Sequence, residues 1–218
     1  MVTSLSKEII FYLFSYLIGS IPFGFIFSKI FAKKDVLKVG WRKTSGSNVF
    51  KHISKPLGVL SGILDVLKGT FSVLLARKFQ LPPLSQALCG LFAIFGHNWS
   101  IYLKFAGGRG IGTYLGSLIV LEPRVLIYSI FPSLILLLIL NSPLATIFFL
   151  LFVALFSLLF QNTTLFIFSL LSFLPIFVKR LSPISEISFK RLDLIKNRLL
   201  YDRDNFLKTN IEKWISRK

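Results

Sequence analysis

The run Phe105-Ala106-Gly107-Gly108-Arg109-Gly110-Ile111-Gly112 puts a glycine-dense turn and one arginine at the end of an apolar segment that carries Gly96-His97. Glycines let backbone N–H groups approach an anion closely, and a fixed guanidinium adds charge and paired donors, so the run is suited to gripping a phosphate. Closely spaced glycines also let membrane helices pack tightly, and the run alone does not separate the two readings. A second cluster, Gly40-Trp41-Arg42-Lys43-Thr44-Ser45-Gly46-Ser47-Asn48-Val49-Phe50-Lys51, gathers hydroxyls, an amide and cations beside a glycine turn. Such donors could surround a phosphate and orient a substrate hydroxyl, or simply form a polar loop with a helix cap at Ser47 or Asn48. A third feature is Leu64-Asp65-Val66-Leu67-Lys68-Gly69. Asp65 and Lys68 share a helix face, and charges inside a membrane are costly unless paired, so the two are expected to form a structural ion pair.

These clusters must be held by apolar helices. The 218 residues are 54% hydrophobic and include 24 phenylalanines, more than the surface of a soluble domain of this size tolerates. No charged residue falls between Glu8 and Lys29, between Lys78 and Lys104, or between Arg124 and Lys179. About 20 apolar residues cross a bilayer, and the third stretch is interrupted by Asn141-Ser142-Pro143 and Gln161-Asn162-Thr163, which read as tight turns. The pattern predicts an all-α integral membrane protein of about seven spans, near 9–31, 57–76, 84–103, 110–121, 125–140, 144–160 and 164–178. The fourth is too short to cross without help from its flanks. The first lacks the basic flank and cleavage site of a signal peptide and is expected to stay.

Basic residues set the orientation. Lys33, Lys34, Lys38, Arg42, Lys43, Lys51 and Lys55 follow the first span, Lys104 and Arg109 sit between the third and fourth, and the tail from Lys179 is rich in Lys and Arg. An odd number of spans puts all three on one side, which the positive-inside rule makes the cytoplasm, with the N-terminus outside and the C-terminus cytoplasmic. The net charge of +17 is thereby accounted for by topology and anionic headgroups, and nucleic acid is not an expected partner. Residues 1–178 read as one membrane domain and 179–218 as a basic tail in which charges alternate with Leu, Ile, Phe and Trp214, expected to lie at the interface or dock under the bundle. The nine acidic residues are scattered and Cys89 is the single cysteine, so neither a metal site nor any other cofactor is expected.

Taken in order, Gly19-Ser20-Ile21-Pro22, Asp35 through Gly40, Asn48-Val49 with Lys51, Leu64 through Gly69, Gly96-His97 and Phe105 through Gly110 resemble the bacterial acyl-phosphate:glycerol-3-phosphate acyltransferases of the PlsY type. The resemblance runs over residues 17 to 117, and the remainder is similar in hydropathy only. It implies a seven-span bundle with its N-terminus outside and motif loops facing the cytoplasm of a bacterial inner membrane. It also implies transfer of a fatty acyl group from acyl phosphate to the 1-hydroxyl of glycerol 3-phosphate, the first step of phospholipid synthesis. On that chemistry Lys43, Lys51 and Arg109 would hold phosphates, Ser45, Ser47 and Asn48 would position hydroxyls, and Gly107, Gly108 and Gly110 would supply backbone donors. His97 could act as general base or brace the glycine loop.

Three positions depart from the family pattern. Gly40-Trp41-Arg42-Lys43 stands where the family usually has Gly-Ser-Gly-Asn, Arg109 and Lys51 exchange the usual lysine and arginine, and Asn197-Arg198-Leu199-Leu200 only partly follows a third, histidine-containing motif. Trp41 is expected to anchor in the headgroup layer and swing its loop outward, leaving Ser45 and Ser47 to make the polar contacts. A His followed by four residues and an Asp, the signature of another acyltransferase class, is absent: the corresponding positions are Tyr102 and Leu57. The competing expectation is a transporter, or a lipid- or anion-binding membrane protein, that keeps the grip loops without catalysis.

Overall fold

The structure is a computed structural model that describes residues 4–183, 186–188, 191–204 and 210–216. The described regular elements are helical, and the chain divides after Glu122 into two compact units. The first unit contains α1 (Ser4–Ser20), α2 (Phe23–Phe31), α3 (Gly46–His52), α4 (Lys55–Lys78), α5 (Pro83–Asn98) and α6 (Ile111–Leu121). The second contains α7 (Pro123–Ile139), α8 (Ser142–Leu159), α9 (Thr163–Arg180), α10 (Leu192–Tyr201) and α11 (Asn210–Ile215).

Four segments among the described residues are long and apolar enough to cross a bilayer: Leu5–Phe31, Lys55–Lys78, Ser142–Leu159 and Thr163–Arg180. The helix α4, with 24 residues, reaches about 36 Å, whereas the 11 residues of α6 reach only about 16 Å. The predicted first span, 9–31, is not one helix. It breaks at Ile21-Pro22, because proline has no N–H to continue the ladder, and the chain resumes as α2 at Phe23. The carbonyls of Gly19 and Ile21 that the break releases accept bonds from the Lys68 ammonium on α4, at 3.0 and 2.9 Å.

Helix contacts in the first unit rely on small residues, since side chains surrounded by lipid gain little from apolar burial and helices associate chiefly through close packing. A Cβ on Gly116 of α6 would lie 1.8 Å from the Val66 carbonyl oxygen, and one on Gly69 of α4 would lie 2.0 Å from that of Thr113. These two helices therefore touch backbone to backbone, and Thr70 donates to the Gly116 carbonyl across the seam at 3.0 Å. The pair α1 and α5 is built the same way, with Gly19 against Ala93 and Gly96 against Tyr16.

In the second unit Asn141 and Asn162 cap α8 and α9 through their side-chain oxygens, so the two polar triplets read as turns are also helix starts. The tail packs with these helices: α10 lies on α8 and α9, burying Leu194, and α11 lies on α7. Arg198 fastens α10 by donating to Glu186, to Asp204 at 2.7 Å and to the carbonyls of Leu181 and Pro183. Burial opposes its charge, but the two carboxylates outweigh that and hold the guanidinium pKa above its ordinary value. The side chain of Trp214 lies outside the described residues.

Candidate active site

The loop between α2 and α3 is folded by one amide. Asn48, fully buried, directs its Nδ2 at the carbonyls of Val36, Val39 and Lys43, at 3.3, 3.1 and 2.9 Å, while its Oδ1 accepts from the Trp41 N–H at 3.0 Å. An asparagine amide has two donors and one acceptor oxygen, and all are engaged with backbone. Expected from the sequence to orient a substrate hydroxyl, Asn48 instead ties residues 36 to 43 onto α3. Upstream, Asp35 caps the short turn Val36–Lys38 through its carboxylate, which accepts from the Leu37 N–H at 2.9 Å.

The glycine loop is shaped by α5. The Gly108 N–H donates to the His97 carbonyl at 2.9 Å, so in this arrangement that donor is not offered to an anion. A Cβ on Gly108 would lie 2.0 Å from His97 Nε2, so the loop passes directly over the imidazole. Gly110, at φ +77°, turns the chain into α6, whose first N–H groups have no partner within the helix. The two loops join where the Thr44 N–H donates to the Gly107 carbonyl at 3.2 Å.

Trp41 sits at that junction. The Arg109 guanidinium lies 4.5 Å over its ring, the Lys51 ammonium lies 5.6 Å from it, and the His52 ring meets it edge-on at 5.4 Å. The expectation that Trp41 swings the loop outward is therefore corrected: a ring that attracts two cations and a histidine is drawn inward, and the loop closes onto the glycine turn. Ser45 and Ser47 lie with hydroxyls 3.3 Å apart, Ser45 half-buried and Ser47 exposed, while Lys43 is buried. Beside them a cleft of about 630 Å³ runs between α3 and α4, lined by Trp41, Ser47, Lys51 and Lys55 together with the apolar Phe50 and Val59.

Beneath the loops, Asp65, Lys68 and His97 form one buried cluster. Lys68 Nζ lies 2.9 Å from Asp65 Oδ1 and 3.1 Å from His97 Nδ1, and His97 Nδ1 lies 3.3 Å from Asp65 Oδ1. Counting protons orders these contacts. An ammonium has three, and the carbonyls of Gly19 and Ile21 with Asp65 Oδ1 take all of them. His97 Nδ1 is then best placed as the donor to Asp65, with Nε2 directed at the Gly108 end. The cluster ties the break between α1 and α2, the middle of α4 and the glycine loop to one point.

Sequence reasoning missed three contributors. Lys55 lines the cleft though it carried only topological meaning, His52 packs on Trp41, and Asn98, buried beside His97, places its carbonyl 2.4 Å from where a Gly107 Cβ would be. Taken together, the site is a cationic, hydroxyl-bearing junction opening into a partly apolar cleft, an arrangement that can hold an anionic group attached to an apolar chain.

These features define a multi-pass membrane protein with a cationic, hydroxyl-bearing loop junction. The sequence profile described as glycerol-3-phosphate acyltransferase matches residues 9–189, and the chain belongs to that family. Similar proteins include the glycerol-3-phosphate acyltransferase of Ehrlichia canis (strain Jake), 45% identical over 114 residues, covering 52% of this chain and 59% of that one. That of a Nitratiruptor species is 37% identical over 125 residues, covering 54% and 60%. The aligned region thus spans about 60% of the length of these curated relatives. Among solved structures, PlsY, an integral membrane glycerol 3-phosphate acyltransferase, matches in its glycerol 3-phosphate form with a TM-score of 0.74 at 27% identity, covering 95% of this chain and 98% of that one. Its lysophosphatidic acid form matches with a TM-score of 0.75 at 25% identity, covering 96% and 99%.

Proposed function

We propose that the protein is a membrane acyltransferase that moves a fatty acyl group from acyl phosphate to the 1-hydroxyl of glycerol 3-phosphate, releasing lysophosphatidate and inorganic phosphate. The observation that carries this reading is the junction itself: Arg109 and Lys51 on one indole, the hydroxyls of Ser45 and Ser47 beside them, and a partly apolar cleft leading away. An acyl phosphate is a mixed anhydride, so the glycerol hydroxyl attacks its carbonyl carbon and the carbon–oxygen bond to phosphate breaks. The hydroxyl proton goes to the departing phosphate, and no protein nucleophile is required. The chain's part is to bring two anions together, neutralise them and stabilise the carbonyl oxyanion.

In this reading Lys51, Arg109 and Lys43 neutralise phosphate charge, Ser45 and Ser47 orient the attacking hydroxyl, and the first turn of α6 after Gly110 offers backbone donors. Asn48, Gly107, Gly108 and His97 are positioning residues, because their groups hold the loops. The protein would cross a bacterial inner membrane seven times, N-terminus outside, with 1–178 as the membrane domain, the tail from 179 in the cytoplasm and the site facing it. Grouping of Lys and Arg in the loops of this junction supports that orientation. The test is phosphate release from acyl phosphate by purified protein, with and without glycerol 3-phosphate, and with acyl-CoA as the second donor. Release that depends on glycerol 3-phosphate, with little turnover of acyl-CoA, is the expected result. Binding of both ligands without release would instead favour a non-catalytic anion- or lipid-binding protein, and equal rates with the two donors would overturn the donor assignment.

A further inference from the structure

Trp41 is held from several directions. Its backbone N–H donates to Asn48 Oδ1 at 3.0 Å, the His52 ring meets its indole edge-on at 5.4 Å, and the Arg109 guanidinium lies 4.5 Å over its face. Gly40, at φ +59°, brings the preceding backbone so near that a Cβ there would stand 2.3 Å from His52 Cδ2 and 2.5 Å from Asn48 Oδ1. An indole clamped in this way is a fixed surface, and it lines the cleft beside Ser47 and Lys51. The type of cation on that surface matters. A guanidinium is planar, weakly hydrated and stacks on aromatic rings, whereas a lysine ammonium is a compact, strongly hydrated charge that gains less there. Held over the indole, the guanidinium keeps a set orientation, and its N–H fork can meet a phosphate with paired bonds. The Lys51 ammonium, 5.6 Å from the same ring, brings a second positive charge to it. Trp41 and Arg109 are also two of the positions at which the sequence leaves the family pattern, serine and lysine being the usual residues, and the fold puts them in contact.

We infer that Trp41 is a positioning residue that acts through Arg109, and that the two departures form one device in which the indole orients the guanidinium for a substrate phosphate. This role rests on the acyltransferase reading above and deepens it, because it makes the worth of each residue depend on the other. An arginine without the indole loses the surface that fixes its plane. An indole beneath a lysine has no planar fork to orient. The contributions of the two residues to phosphate binding are therefore coupled, as expected of side chains in direct contact.

The test is a double-mutant cycle on the full chain in detergent, with Trp41→Leu, Arg109→Lys and the two together. It is read as kcat/KM in the glycerol 3-phosphate-dependent phosphate release assay and as the Kd of inorganic phosphate by calorimetry, with thermal unfolding as the check on folding. Leucine keeps apolar bulk without a π face, and Trp41→Phe restores a smaller one as the conservative variant. Trp41→Leu should weaken both readouts about tenfold and Arg109→Lys about tenfold, and the double variant should lose about tenfold as well, short of the roughly hundredfold that independent residues would give. Trp41→Phe should stay within about threefold of the parent. A hundredfold loss in the double variant, or an equal loss in folded Trp41→Phe and Trp41→Leu, overturns the pairing and leaves the acyltransferase reading intact. Should Trp41→Leu fail to fold, the cycle of Trp41→Phe with Arg109→Lys decides, because fully additive losses there carry the same meaning. An unmodified chain that binds phosphate but turns over no acyl phosphate overturns that reading, and the phosphate cycle alone then decides the pairing. A chain that does neither overturns both.

Discussion

Replacing Lys68 by methionine preserves most of the side chain's length and volume and removes its three protons. The ammonium is 4% exposed and bonds Asp65 together with the carbonyls of Gly19 and Ile21. Its loss leaves a buried carboxylate without its cation, which costs roughly 3 to 5 kcal/mol. Two carbonyls also lose a partner, at about 1 kcal/mol or more each. The parts are not additive, but a loss of at least about 4 kcal/mol is expected, a large fraction of the 5 to 15 kcal/mol that holds a typical domain together. Asp65→Asn strands the Lys68 ammonium in turn, at a similar roughly 3 to 5 kcal/mol, but the carbonyl bonds survive, so it should be milder than Lys68→Met by about 1 to 2 kcal/mol. The double variant Asp65→Asn with Lys68→Met removes the stranded charge but leaves the Gly19 carbonyl without the Lys68 bond and the Ile21 carbonyl with only the Phe23 N–H, so it should recover only part of the loss, remaining about 1 to 2 kcal/mol below the parent. Thermal unfolding in detergent, followed by reaction of the buried Cys89 with a fluorogenic thiol reagent, measures all three. Full recovery in the double variant, or a cost for Asp65→Asn equal to that of Lys68→Met, would refute the claim that Lys68 serves chiefly to satisfy the broken helix.

Arg109→Ala should lower kcat/KM about 100-fold or more, while Arg109→Lys retains roughly a tenth of parental activity because it keeps the charge and loses the planar fork, as steady-state kinetics would resolve. Arg42 holds a left-handed conformation, φ 55°, at a position where the family pattern has glycine, so Arg42→Gly should stabilise the protein by about 0.5 to 1 kcal/mol, a rise of a few degrees in unfolding temperature. With Cys89 replaced, a cysteine at Lys55 should be shielded from an impermeant thiol reagent outside intact cells, whereas one at Asn162 should label; the reverse pattern would invert the proposed orientation.

Much of this was legible in the sequence because a bilayer imposes long charge-free runs and punishes irregular backbone. The gaps between Lys78 and Lys104 and between Arg124 and Lys179 delimit α5, α7, α8 and α9, and the triplets at Asn141 and Asn162 mark the joints between them. The spacing of Asp65 and Lys68 put them on one face, where they lie 2.9 Å apart. Local pattern did not carry the partners supplied from far along the chain. That Lys68 serves carbonyls 47 and 49 residues earlier depends on how α1 meets α4. Trp41, read from its type as a headgroup anchor, takes its position from Arg109 in another loop, and no periodicity encodes that meeting. Asn48 shows the limit from the other direction: its residue type suggested substrate contact, and only the fold reveals that its donors are already engaged.

The interrupted first helix also bears on how the protein is made. Residues 4 to 31 leave the ribosome before the residue that completes them, since the carbonyls exposed by Pro22 wait for an ammonium carried on α4. A lipid environment offers no water to those groups in the interval. The break in the first segment is therefore fully satisfied only with α4 packed beside it, so the two segments form one structural unit and not two independent ones.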